Sequence, residues 1–162
     1  MWSLSRRCNV GKTVYLIGRA KTEKCCRLEG VIPAIVSLIN DLPRVKILND
    51  DNKVKEMAAL ARSSVSAMTT AVVDLVSQTS HMIVECSINS TDAGWIVGHT
   101  AARIRYAGLF TKMLFLINSD KFFWPQPSFI SGMDQKLYPG VSVKEYADIP
   151  EAQLIVRSFL ET

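Results

Sequence analysis

Residues 49–80 read NDDNKVKEMAALARSSVSAMTTAVVDLVSQTS. Asn49-Asp50-Asp51-Asn52 supplies helix N-caps and places negative charge at the positive end of a helix dipole. Val54, Ala58, Ala61, Val65, Met68, Val72 and Leu75 then follow at spacings of 4, 3, 4, 3, 4 and 3. Seven consecutive apolar seam positions fit the heptad template. The spacing predicts one long helix over 53–79, ending near Thr79-Ser80-His81. Small seam residues let neighbouring helices approach closely, so this reads as a bundle helix packed on both flanks.

Two further helical signals flank it. Residues 24–41 carry Leu28, Val31, Ile32, Ile35, Val36, Leu38 and Ile39 on one face, with Pro33 placed at lowest cost in the first turn of a helix ending at Asp41. After Ser90-Thr91-Asp92, the positions Val97, Ala101, Ile104, Ala107, Phe110, Leu114 and Ile117 recur at 4, 3, 3, 3, 4 and 3. The seam drifts around Gly108, where a bend or close backbone contact is expected. Met82–Ile88 alternates like a strand but also fits an extension of the preceding helix.

Beyond Asp120 the pattern breaks. Phe122-Phe123-Trp124-Pro125-Gln126-Pro127 is aromatic and bracketed by proline, and Gly132, Pro139 and Gly140 punctuate the next stretch of chain. Two capping boxes stand later, Ser142-x-x-Glu145 and Asp148-x-x-Glu151. The second opens a short helix over 151–160, with Leu154, Ile155, Phe159 and Leu160 docking on the bundle. The aromatic cluster reads either as a buried lid centred on Trp124 or as an exposed partner-binding patch.

Charge is concentrated at the amino end. Of 162 residues, 19 are basic and 15 acidic. Residues 1–24 hold Arg6, Arg7, Lys12, Arg19, Lys21 and Lys24 against Glu23 alone, so the remainder is close to neutral. A neutral body does not suit a groove that neutralises phosphates, and no specific nucleic-acid partner is expected. Residues 1–24 read as a basic arm attached to a domain over 25–162. An acid-poor arm with serine and arginine resembles a mitochondrial transit peptide and could also touch an anionic surface. No apolar run is long enough to span a bilayer.

Local chemistry is sparse. Gly11-Lys12-Thr13 resembles the end of a phosphate-binding loop, but Arg6 stands where that pattern needs glycine. Cys8, Cys25, Cys26 and Cys86, with His81 and His99, show no metal-ligand spacing, so neither a metal nor another cofactor is expected. Cys86 with His99 and Ser80 with His81 are the available nucleophile–base pairs, and neither lies in a recognised turn context.

A short apolar helix over 28–41, a long Ala/Ser/Thr/Val-rich helix over 53–79 and a third closing on Leu116-Ile117-Asn118-Ser119-Asp120 resemble the N-terminal bundles of the vinculin and α-catenin family and talin-type bundles. The resemblance covers residues 27–124, and the broken segment 125–162 departs from it. It implies a non-catalytic adaptor of cytoskeletal or adhesion type whose partner is another protein's amphipathic helix; separately, with no secretory signal in the sequence, reduced thiols and an intracellular, cytoplasmic location are expected. The expectation is therefore an all-α, up-and-down helical bundle with a basic arm and an irregular Pro/Gly-rich carboxyl segment ending in a short helix. Its groove would be lined by Ile35, Leu38, Ala58, Val65 and Met68, with Phe122, Phe123 and Trp124 as a second patch. The alternatives are an accessory subunit of a mitochondrial assembly and an enzyme whose site is assembled from dispersed residues, with His81 or His99 in a pocket.

Overall fold

The computed structural model describes residues 11–17, 30–86, 91–108, 110–119 and 138–162, with the backbone alone for 91–93 and 105. Among these residues, five strands and five helices run in the order β1 (Lys12–Ile17), α1 (Val31–Asp41), β2 (Val45–Ile47), α2 (Asp51–Ser63), α3 (Val65–Ser77), β3 (His81–Glu85), α4 (Thr91–Ala107), β4 (Lys112–Asn118), β5 (Val141–Tyr146) and α5 (Ile149–Glu161). The strands form one sheet in the order β2-β1-β3-β4-β5, and all four pairings are parallel. This is a doubly wound α/β arrangement. The expected all-α bundle, and the vinculin-type resemblance built on it, are overturned by this sheet.

Strand composition explains the difference. Val14–Ile17, Met82–Val84 and Met113–Ile117 are apolar and buried at every position. Such short continuous runs mark strands covered on both faces, as parallel sheets require. Residues 12–17, expected from the sequence to belong to a basic arm, form the strand between β2 and β3. Leu114 and Ile117, assigned to a helical seam, lie in β4. Ser142–Glu145 opens no helix and is part of β5.

Two helical expectations are cut by backbone geometry. The predicted helix over 53–79 breaks at Ser64, whose N–H bonds Leu60 O to close α2 while its hydroxyl accepts from Ala67 N to cap α3. The third seam ends at Gly108, where φ of 66° is left-handed and stops α4 four residues before β4. By contrast, α1 starts just ahead of Pro33 and ends at Asp41, and Asp50 caps α2 by accepting from Lys53 N. Asp148 Oδ1 accepts from Glu151 N at 2.9 Å while Glu151 Oε2 reaches back to Ala147 N at 2.7 Å, so α5 carries a reciprocal cap.

Helices cover both faces of the sheet. On one, Val31, Ile35 and Ile39 of α1 and Ala152, Val156 and Phe159 of α5 pack on Val14, Leu16, Ile83, Leu114 and Leu116. On the other, Leu75 and Val76 of α3 and Val97, Ala101 and Ile104 of α4 pack on Tyr15, Met82, Val84, Phe115 and Ile117. Of the α5 residues expected to dock, Phe159 and Leu160 are buried and Leu154 faces solvent.

The amino edge of the sheet holds a buried histidine. Ser80 Oγ accepts from Thr13 N at 2.9 Å and donates to Thr13 O at 3.0 Å. The 2.9 Å contact with His81 Nδ1 is therefore an Nδ1–H donating to Ser80 Oγ, which leaves Nε2 unprotonated and buried, with no hydrogen-bond partner among the described residues. The ring lies edge-on to Phe159, 5.4 Å away, and Lys12 Nζ donates to Leu160 O beside it. Burial first, then Lys12 and Lys112, push the His81 pKa from 6.5 down to about 4.

An unfolded chain therefore takes up this proton before the folded one does. Stability should fall as pH drops from about 6.5 towards 4, with His81 contributing about 3 kcal/mol of that loss. Thermal melts from pH 7.5 to 4 should show it, and His81→Leu should flatten the slope.

Candidate active site

In an open parallel sheet, ligands bind outside the carboxyl ends of the strands where successive connections leave for opposite faces. Here that point lies between β1 and β3: from β1 the chain turns to α1 on one face, and from β3 to α4 on the other. The carboxyl end of β1 is pinned from the side by Asn49, just beyond β2. Its Oδ1 accepts from Leu16 N at 3.0 Å and its Nδ2 donates to Leu16 O at 2.8 Å. The side chain thus continues the β2 ladder past the end of that short strand, and Asp50 starts α2 immediately after it.

Glu85 ends β3 at this edge. Residue alternation in His81–Glu85 turns Glu85 to the α1/α5 face with Ile83, and its relative exposure is 0%. Such a carboxylate needs partners, because desolvating a charge costs several kcal/mol. One comes from Tyr146, the last residue of β5, whose phenol donates to Glu85 Oε1 at 2.8 Å. The bond passes over β4: Glu85 is in register with Leu116, and Asn118 with Tyr146. Ser119 Oγ in turn donates to Tyr146 O at 3.2 Å. Two residues 61 positions apart are thus joined by the topology of the sheet.

Cys86 follows directly, half-buried, with Sγ 3.7 Å from Val84 O. Burial first and the Glu85 charge second push its thiol up to about 12, so it stays protonated and is no nucleophile. Ser80 and His81 are hydrogen-bonded but sit at the opposite edge, with the serine hydroxyl held in the β1–β3 ladder. His99 lies on α4, stacked on Trp95 at 5.2 Å and 14°. Neither nucleophile–base pair drawn from the sequence therefore forms a centre here. Among the described residues, no three His, Cys, Asp or Glu side chains meet as a metal site, and no helix is long and apolar enough to cross a membrane.

The partner groove expected from the sequence is not assembled. Ile35 and Leu38 are buried in the core on the α1/α5 face. Ala58 and Val65 are exposed and Met68 is half-buried on the α2–α3 pair, whose Met57 and Val72 pack on the other face. Lys12 lies in β1, while Arg6, Arg7, Arg19, Lys21, Phe122, Phe123 and Trp124 lie outside the described residues. Sequence reasoning missed Glu85 and Tyr146. The available signal was a glutamate closing a run of apolar residues, Met82-Ile83-Val84-Glu85, once that run is read as a buried strand.

No family model and no curated protein matches the chain. Its fold is similar to that of BcmB, a CMP N-glycosidase of Clostridium botulinum, with a TM-score of 0.60 at 15% identity over 91% of this chain and 99% of that one. That likeness concerns the fold, and it replaces the helical-adaptor expectation, which falls with the bundle it rested on. Nothing in either supports a cytoskeletal or mitochondrial assignment.

The elevated Cys86 pKa sets one outcome. With Cys8, Cys25 and Cys26 replaced by serine, the folded chain should resist thiol-specific reagents at pH 8, reacting at least about tenfold more slowly than it does in denaturant.

Proposed function

We propose that this chain is an enzyme that cleaves the N-glycosidic bond of a nucleoside or nucleotide, with Glu85 acting at the anomeric carbon. The observation that carries this is a fully buried carboxylate at the carboxyl end of β3, beside the point where the chain connections diverge, gripped by the Tyr146 phenol. The fold likeness to a CMP N-glycosidase supports the substrate class. It replaces the sequence-based expectation of a non-catalytic chain, which rested on the lack of any local catalytic pattern.

The chemistry suits a carboxylate. As the bond between C1′ and the base nitrogen lengthens, its electron pair leaves with the base and positive charge builds on C1′ and the ring oxygen. A carboxylate fixed at that carbon stabilises the charge. Water completes the reaction: its oxygen bonds C1′, one of its protons is released and the departing base takes up a proton. Tyr146 holds Oε1 by its phenolic hydrogen, so the carboxylate stays aimed without relying on solvent. The segments that leave β1, β3 and β4 at this edge, 18–29, 87–90 and 120–137, lie outside the described residues.

Purified protein incubated with CMP and the other nucleoside monophosphates should release free base, read by chromatography. Glu85→Gln, close to isosteric, should lower that release by roughly 10³-fold while leaving the far-UV spectrum unchanged. No base release from any nucleoside or nucleotide by a folded sample would reject the assignment, as would full activity in Glu85→Gln.

A further inference from the structure

α5 begins just past Tyr146 at the carboxyl edge of the sheet and ends against Lys12 and His81 at the amino edge. Its two ends are held by different means. The first turn carries the reciprocal cap of Asp148 and Glu151, and Gln153 Nε2 donates to Ala34 O of α1 at 2.9 Å. The last turns are held by the burial of Val156, Phe159 and Leu160 and by Lys12, whose Nζ donates to Leu160 O. Phe159 meets the sheet on the His81 ring, edge-on with centroids 5.4 Å apart. That histidine is 6% exposed, and its Nε2 has no hydrogen-bond partner among the described residues. An unpaired neutral nitrogen is tolerable there, whereas an added proton would create an unpaired donor on a buried cation.

The surroundings offer that proton no compensation. A helix C-terminus ordinarily favours a cationic histidine, because its last carbonyls carry partial negative charge. At the end of α5 those carbonyls are already engaged: Lys12 donates to Leu160 O, and Thr162 Oγ1 donates to Phe159 O at 2.9 Å. Positive charge opposes the proton from both flanking strands, with Lys12 at the start of β1 and Lys112 at the start of β4. The acids in the last turns of the helices that end here, Asp41 of α1, Asp74 of α3 and Glu161 of α5, are all exposed, as is Arg157. Gln78, Thr79 and Ser80, which lead from α3 into β3, carry no charge. A protonated His81 is therefore relieved by water, and the cover that must move to admit water is Phe159.

We infer that α5 is an acid-released latch: a proton on His81 Nε2 lifts residues 156–161 off the amino edge of the sheet, while the Asp148–Glu151 cap and Gln153 keep the start of the helix in place. Burial and the two lysines lower the pKa of the covered ring to about 4, against 6.5 in water, so opening begins as the pH falls below about 6.5 and is favoured roughly 20-fold more at pH 5 than at pH 7. Release of one helix end costs less than loss of the fold, because α1 stays packed on Val14, Leu16 and Ile83. Thermal melting senses the same proton but not where the chain opens. Nothing in this latch depends on the reaction assigned to Glu85.

Amide exchange of the full chain, followed by NMR at pH 7 and pH 5 and corrected for intrinsic rates, locates the opening. Amides of residues 157–160 should lose protection about 20-fold at pH 5, and at both pH values they should stay less protected than those of Met82–Val84, which exchange only when the sheet opens. His81→Leu should abolish the loss. Lys112→Gln removes one opposing charge but keeps the ring, so it should reduce the loss, and it decides the matter if His81→Leu does not fold. Equal protection of the two sets at pH 5 would mean that only the whole fold opens, which overturns the latch. So would a wild-type α5 that keeps its protection at pH 5, or an undiminished loss in either folded variant.

Discussion

Val14–Ile17, Met82–Val84 and Met113–Ile117 are aliphatic or aromatic at every position, so neither face of the sheet they form can meet water. That constraint organises everything around it. Each covered side chain contributes roughly 1.5–3 kcal/mol, and losing the helices from one face would forfeit about half of that stabilisation. Parallel pairing forces every connection to cross from the carboxyl edge back to the amino edge, and the covering is done by the described crossing helices α1, α3 and α4 together with α5, which follows the last strand. α1 and α5 close one side, α3 and α4 the other. A polar side chain at the carboxyl end of such a strand is therefore walled in by two layers, and Glu85 is buried for that reason.

The same constraint separates what was legible in the sequence from what was not. Local rules act within a few residues, and they were readable: Pro33 in the first turn of α1, Asp50 capping α2, and Asp148 with Glu151 capping α5. The heptad spacing over Val54–Leu75 was real as a series of apolar positions, but periodicity is insensitive to a single non-helical residue. Ser64 interrupts the backbone at φ −159° without disturbing the count, because its side chain and amide satisfy both helix ends at once. Across Gly108 the count continues into β4 because a wholly apolar strand satisfies any periodicity imposed on it. The strand signal was the absence of polar positions in Val14–Ile17 and Met113–Ile117, a feature that a search for alternation overlooks.

The candidate site was illegible for a different reason. Glu85 and Tyr146 are 61 residues apart, and neither belongs to a motif. Their contact depends on β4 lying between β3 and β5 with Leu116 opposite Glu85 and Asn118 opposite Tyr146, so it exists only after strand order and register are set. Nucleophile–base pairs sought at short range, Ser80 with His81 and Cys86 with His99, reflect proximity in sequence. The first is a ladder contact at the wrong edge, and the thiol of the second is held protonated by burial and by the carboxylate next to it.

The two ends of β3 show how one strand face can be polar for opposite purposes. His81 and Glu85 share the α1/α5 face, four residues apart, and both are at most 6% exposed. At the amino edge, burial and two lysines keep the imidazole neutral, its Nδ1–H goes to Ser80, and no described residue binds Nε2. That arrangement favours a shut, uncharged seam between the sheet and the end of α5. At the carboxyl edge a phenol donates to the carboxylate, an interaction that strengthens as negative charge on the oxygen increases. Strand ends in a parallel sheet are not equivalent, because connections that return to the amino edge arrive there as helix C-termini, while those leaving the carboxyl edge open helix N-termini. Under the proposed reaction, the group that stabilises positive charge on the sugar stands at the second edge, where the helix N-termini themselves supply no negative charge and a side chain must.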